Sequence, residues 1–197
     1  MTEANRRPPK YRKTPATGQF VATPVAVGRH AEKVHGVKEL RLLGAAGTFR
    51  KSPASGLHYR AIFESSLDER VCIAKAGLMP LTVKTLSSDM KMDQNKVALI
   101  LGVPRATLNR KLKARQRLDV PVSERVLGLV RLVGQVKKMV EESGNPEGFD
   151  APTWVGEWLE RPLPALGGRK PGEFMDTASG QELVSNLLAQ TQAGVYA

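Results

Sequence analysis

An all-α fold is what this sequence predicts, and three features predict it. Apolar residues from Leu57 onward recur at the helical spacing of about 3.6 residues. Apolar content is 41% but aromatic content only 5%, which suits an interior of packed Leu and Val rather than a β-sandwich. The stretch Asp93–Arg117, DQNKVALILGVPRATLNRKLKARQR, spells two helices joined by a glycine turn. The expected layout is a basic, largely disordered extension over residues 1–55, a helical helix-turn-helix domain over 56–120, and a small helical domain over 121–197.

The extension carries Arg6, Arg7, Lys10, Arg12 and Lys13 among prolines, and offers little to bury. Within it, Ala31–Leu43 has the spacing of one short helix. Two roles stay open for this segment: an arm that attracts DNA nonspecifically, or a solubilising tail.

From Leu57 the pattern turns helical, with Ile62, Phe63, Leu67, Val71 and Ala74 on one face up to Gly77. Cys72, among Val71, Ile73 and Ala74, reads as a buried small hydrophobe. Leu78, Met79 and Pro80 make a break. Leu81–Met90 is the next helix, with Val83 and Leu86 inward. Gln94–Leu101 follows, burying Val97, Ala98 and Leu101, and Gly102 stops it by entering the left-handed region at no Cβ cost. Pro104 stands where a helix starts. The helix from Arg105 to about Arg115 then buries Leu108 and Leu112. Small Ala98, the glycine four residues on and the leucine six further fit a helix-turn-helix, with close approach, turn and anchor in that order.

Between Lys91 and Arg117 stand eight basic residues and one acid, Asp93. A solvated helix face mixes signs, whereas a phosphate-binding surface does not. The expected DNA-facing residues are Arg105, Ala106, Thr107, Asn109, Arg110, Lys113, Arg115 and Arg117. Arg105 and Arg110 suit guanine edges, Asn109 suits adenine, and Arg115 and Arg117 suit phosphates.

After this unit Leu118 and Val120 close the core and Pro121 breaks the chain. Ser123 is expected to cap a long helix through Glu142, with Glu124 in its first turn. Val126, Leu127, Leu129, Val130, Leu132, Val133, Val136 and Val140 cover more than one face of it. Such a helix is either central to a domain or half of an interface. Gly144, Asn145 and Pro146 end it. Asp150 caps a helix holding Trp154, Val155, Trp158 and Leu159, which Pro162 and Pro164 stop. Gly167 and Gly168 make a turn, and Pro171 starts one helical turn carrying Phe174 and Met175. Thr177 or Ser179 caps the final helix, Ser179 and Glu182 having capping-box spacing. Leu183, Val184, Leu187 and Leu188 are its buried face, and Gly194 breaks it.

The net charge is +11, which points to a polyanionic partner, yet it is unevenly placed. Residues 1–50 hold ten Lys/Arg against three acids, whereas residues 143–197 hold three against seven. The single cysteine excludes an internal disulfide and fits a reducing cytoplasm. His30, His35 and His58 have no partners at ligand spacing, so no metal site is expected. No Ser–His, Cys–His or spaced carboxylate pair suggests catalysis, and the paired glycines lack the strand and third glycine of a nucleotide loop, so neither enzyme nor cofactor is expected. The polar, proline-bearing N-terminus is unlike a signal peptide, and no apolar run approaches membrane-spanning length. The expectation is a soluble cytoplasmic protein.

One string is similar to a known family: Trp158-Leu159, Pro162, Leu166-Gly167-Gly168, Pro171, Phe174-Met175, Asp176-Thr177 and Gly180, closing on Gly194-Val195-Tyr196. It resembles the Xre/MbcA/ParS-type toxin-binding domain of bacterial antitoxins, and Gly77-Leu78-Met79-Pro80 with the helix-turn-helix is similar to the rest of such proteins. The resemblance covers about residues 60–197. It implies a Cro-like domain that dimerises on an inverted repeat in its own operator DNA and represses its operon. It also implies a C-terminal domain that blocks the active site of an NAD-consuming RES-domain toxin, with higher-order toxin–antitoxin complexes as a further possibility. The toxin-facing residues it implies are Trp158, Leu166, Gly167, Gly168, Arg169, Lys170, Pro171, Phe174, Met175, Val195 and Tyr196. Gly172 and Phe174 depart from the leucines more common there. The alternative is a helix-turn-helix regulator whose C-terminal domain senses a small ligand.

Overall fold

In the computed structural model of the chain, residues 57–144 and 146–192 are described. They form helices and no strand, as the sequence predicts. The chain order is α1 (Tyr59–Glu64), α2 (Leu67–Ala76), α3 (Leu81–Asp89), α4 (Gln94–Ile100), α5 (Arg105–Lys113), α6 (Val120–Glu142), α7 (Ala151–Leu159) and α8 (Ala178–Gln192). Two short 3-10 turns, Pro164–Leu166 and Pro171–Phe174, lie between α7 and α8.

The expected single helix from Leu57 to Gly77 is two. Ser66 starts the second by a reciprocal cap: its Oγ accepts from the Glu69 N–H at 3.2 Å, while the Glu69 carboxylate accepts from the Ser66 N–H at 2.8 Å. The break turns the second half outward. Leu67 is 70% exposed, Val71 is 38% exposed, and Cys72 is exposed rather than buried.

The long helix α6 is the centre. Val126, Leu129, Val130 and Val133 are at most 1% exposed, and α1, α2, α7 and α8 all pack against it. Its wide apolar surface is therefore core, the first of the two readings open from sequence. It starts four residues earlier than expected, because Asp119 and not Ser123 is its cap: the Asp119 carboxylate accepts from the Val122 N–H at 3.3 Å. Pro121 sits in the first turn, where a missing N–H costs nothing, so it does not break the chain. Ser123 is fully buried instead, and its Oγ accepts from the Leu78 N–H at 3.0 Å. Val120 is half-exposed and does not close the core; Leu118 does.

Gly77 joins the first two helices to this centre. Its φ of +77° is closed to most side chains, and a Cβ there would stand 2.6 Å from the Leu118 carbonyl oxygen. In α8, Val184, Leu187 and Leu188 are buried as expected, but Leu183 is 46% exposed. Thr177 is the cap there, accepting from the Gly180 N–H at 3.1 Å. One hydrophobic cluster runs from Leu57 to Leu188 through all these elements.

Candidate functional site

The helix-turn-helix forms where the sequence places it. Asp93 caps α4 by accepting from the Asn95 N–H at 2.7 Å. Gly102, at φ +60°, ends it, and the Val103 N–H reaches back to the Ala98 carbonyl at 2.8 Å. That six-to-one closure folds α5 back across α4. Leu108, 1% exposed, anchors α5 to the core, while Leu112 is only half-buried.

With Leu108 inside, the opposite face of α5 looks outward. Arg105, Ala106, Arg110 and Lys113 are exposed, and Thr107 and Asn109 are half-buried. Ala106, Asn109, Arg110 and Lys113 line one shallow concavity with Ala114. A second, smaller crevice brings Arg105 and Asn109 beside Gln94 and Asn95 at the start of α4. Past α5 the chain passes through Arg115 at φ +52°, and both Arg115 and Arg117 are exposed. Arg117 is tethered, however: one guanidinium nitrogen donates to the Gly77 carbonyl at 2.7 Å.

Among the described residues, none of Arg105, Arg110, Lys111, Lys113, Arg115 and Arg117 makes an ion pair. Six unpaired cations on and just after one helix make a surface suited to a polyanion. Lys91 and Lys96, also counted in the basic run, are used differently. Lys91 pairs with Asp150 at 3.4 Å and Lys96 with Glu160 at 2.9 Å. Both point at the C-terminal segment, a fact hidden from sequence because the partners are some sixty residues away.

That segment is built on α7. Asp150 caps it by accepting from the Thr153 N–H at 3.3 Å, and the Thr153 hydroxyl donates to the same carboxylate at 2.6 Å. Those hydrogen bonds, the hydroxyl first, hold the Asp150 carboxyl below the usual carboxylate range. Trp154 and Trp158 stack at 6.0 Å, with Trp158 buried and Trp154 half-buried. After α7 the chain makes a tight loop. The Gly168 N–H returns to the Leu163 carbonyl at 2.9 Å, and Gly167 and Gly168 take φ of +65° and +80°.

The residues implied as toxin-facing divide by depth. Gly167, Gly168 and Arg169 are exposed, and Lys170 and Phe174 are half-buried. Trp158, Leu166 and Pro171 are buried and Met175 is fully so; these four shape the loop from beneath. Val195 and Tyr196 lie outside the described residues. The Arg169 guanidinium sits 4.4 Å from the Phe174 ring centroid, a cation–π stack that orders both. Gly172 is buried, and a Cβ there would be 3.0 Å from the Leu159 carbonyl and 3.4 Å from Ile100. A larger residue has no room at Gly172 unless its neighbours move.

Glu160 was not singled out from sequence, yet it ties the two regions together. Its carboxylate takes Lys96 of α4 at 2.9 Å and Lys170 of the loop at 3.2 Å. Lys96 first, then Lys170, holds the Glu160 carboxyl below its ordinary value. The turn of the helix-turn-helix touches the same region, since a Cβ on Gly102 would lie 3.0 Å from that of Asp176.

Two family descriptions match this chain. Residues 72–131 match an antitoxin Xre-like helix-turn-helix domain, and residues 147–194 match the antitoxin Xre/MbcA/ParS C-terminal toxin-binding domain. The chain is also similar to a Prs ADP-ribosylating antitoxin of Sphingobium sp. (strain YBL2). The two are 44% identical over 139 residues, which is 71% of this chain and 87% of that protein.

Proposed function

Because the chain belongs to the Xre/MbcA/ParS family of antitoxins, we propose that it neutralises a RES-domain, NAD-consuming toxin and represses its own operon. The C-terminal domain covers the toxin's active site; the helix-turn-helix, as a homodimer, holds an inverted repeat in operator DNA. The protein acts in the cytoplasm as a binder, not a catalyst, and among the described residues no helix is long and apolar enough to cross a membrane.

The observation that carries this reading is the separation of charge. Six unpaired cations line the recognition helix and the turn after it, while the lysines that look toward the C-terminal segment are neutralised by its acids. DNA is attracted to one region and not the other, which frees the second for a protein. The relative's name supports the choice of toxin, since ADP-ribosylation consumes NAD. Gly167, Gly168, Arg169, Lys170 and Phe174 supply the toxin-facing surface, and Val195 and Tyr196 are further toxin contacts in this reading. Arg105, Ala106, Thr107, Asn109, Arg110 and Lys113 supply base and groove contacts, and Arg115 and Arg117 phosphate contacts.

Co-expression with the neighbouring open reading frame tests this, with a tag on this chain and NAD measured in the same cells. The neighbour should copurify, deplete NAD alone and be silent when paired. Arg169→Glu should release it with only a small drop in melting temperature, from loss of the stack on Phe174. A neighbour that neither binds nor touches NAD would overturn the reading.

A further inference from the structure

Of the basic residues between Lys91 and Arg117, Lys96 stands where DNA could reach it and is turned away. It lies in the first turn of α4, directly after Gln94 and Asn95. Those two share a crevice with Arg105 and Asn109 of the recognition helix. In a helix-turn-helix the helix ahead of the recognition helix crosses the DNA backbone, so this end of α4 lies beside phosphates when α5 enters the groove. The Lys96 side chain is 49% exposed, and its flexible four-carbon stem lets the ammonium sweep a wide arc.

That ammonium is directed instead at Glu160, the residue that ends α7, with its Nζ 2.9 Å from Oε2. The Nζ of Lys170, from the glycine loop, reaches the same oxygen at 3.2 Å. Two cations therefore compete for one acceptor. The carboxylate is still partly open to water, a setting in which an ion pair holds weakly and exchanges readily. A phosphate oxygen offers Lys96 the same charge-assisted hydrogen bond as the carboxylate does. When Lys96 leaves, Lys170 continues to donate to Glu160, so the acid keeps a counter-charge and the exchange costs little.

We propose that Lys96 is a withheld phosphate contact and that Glu160 is the positioning residue that withholds it. The recognition unit and the acid that restrains it lie in different domains, since Glu160 falls within the stretch that matches the C-terminal toxin-binding domain. The affinity of the helix-turn-helix for DNA is thus set partly by a residue outside it. Glu160 removes one phosphate contact from every duplex alike, because phosphates carry no sequence. This inference rests on the DNA reading above and names a residue that regulates it. Glu157, one turn earlier on α7, is exposed and makes no ion pair among the described residues, so it offers a control of equal charge.

Fluorescence anisotropy on the full chain across a salt series tests it. The probes are a duplex from upstream of this chain's own reading frame and an unrelated duplex of equal length. Glu160→Gln should tighten both alike, by about two- to fivefold, the scale on which exposed ion pairs act. The slope of log affinity against log salt should steepen by about 0.9, the signature of one added phosphate contact. Glu157→Gln makes the same change in net charge, yet should gain less and keep the wild-type slope. Lys96→Ala should alter wild-type binding by less than about twofold, but should cancel the gain when combined with Glu160→Gln. A merely structural role for Glu160 would weaken binding on its loss rather than tighten it. A Glu160→Gln chain that binds no tighter than Glu157→Gln, or a gain that survives Lys96→Ala, overturns the inference while the DNA reading stands. Wild-type and Glu160→Gln chains that both fail to bind either duplex overturn the DNA reading and this inference together.

Discussion

Arg105 and Arg117 are both exposed cations near one helix, and the structure makes them respond oppositely to truncation. Arg105 has no hydrogen bond or ion pair among the described residues, so Arg105→Ala should leave folding within about 0.5 kcal/mol of wild type. Its loss should appear on operator DNA alone, at about 1–3 kcal/mol, or roughly 5- to 150-fold in affinity. Arg117 donates to the Gly77 carbonyl at 2.7 Å and so bridges the first helix pair to the end of the recognition unit. A charged hydrogen bond contributes about 1.5–3 kcal/mol, and partial exposure brings that here to about 1. For a domain of this size that is a drop of about 2–4 °C in melting temperature. Arg117→Ala should also weaken all duplexes alike and flatten the salt dependence by about one unit of slope. Fluorescence anisotropy on operator and unrelated duplex across a salt series, paired with circular-dichroism melts, reads all four quantities. The reasoning fails if Arg117→Ala melts as wild type, or if Arg105→Ala weakens both duplexes equally.

Three further outcomes follow from the same geometry. Gly77→Ala combines a disfavoured φ with a Cβ 2.6 Å from the Leu118 carbonyl, and should cost about 3 kcal/mol or more in a denaturant titration. Gly167→Ala meets no atom within 4 Å and should cost only about 1–2 kcal/mol, so equal losses would refute the close approach. Glu160 has a depressed carboxyl pKa in the folded chain, so its stabilisation is present above the ordinary value of 4.5 and is lost as pH falls through the depressed one. Glu160→Gln should therefore melt lower than wild type near neutral pH, by a small amount because its lysine partners are largely exposed. That gap should close on acidification, and a gap independent of pH would rule the ion cluster out as its source. Finally, deleting residues 150–197 should unfold the chain rather than excise one function, because Trp158, Val184 and Leu188 are buried in the shared core. A deletion chain with a native-like cooperative melt would show the two regions to be independent.

Local chemistry made much of this protein legible in its sequence. Gly102 after Leu101, Pro104 before Arg105, Asp150 before Ala151 and the glycine pair at 167–168 each fix a backbone conformation within a few residues, so the helix-turn-helix and the loop could be placed from spacing alone. The unpaired character of α5 followed from the scarcity of acids near it. The string from Trp158 to Gly180 marked the family. What spacing could not settle was anything that depends on which distant atom arrives. Ser123 has the chemistry of a cap, but Asp119 stands first and Leu78 needs an acceptor, so the serine goes inside. Leu67, Val71 and Leu183 have the periodicity of core, yet the reciprocal Ser66–Glu69 cap turns α2 outward and leaves the first two on a cleft wall. Lys96 looks like one more phosphate contact until Glu160 is found 2.9 Å away. Periodicity and caps act over one helical turn and are written in the chain; burial and charge pairing act across space, and only the folded core decides them.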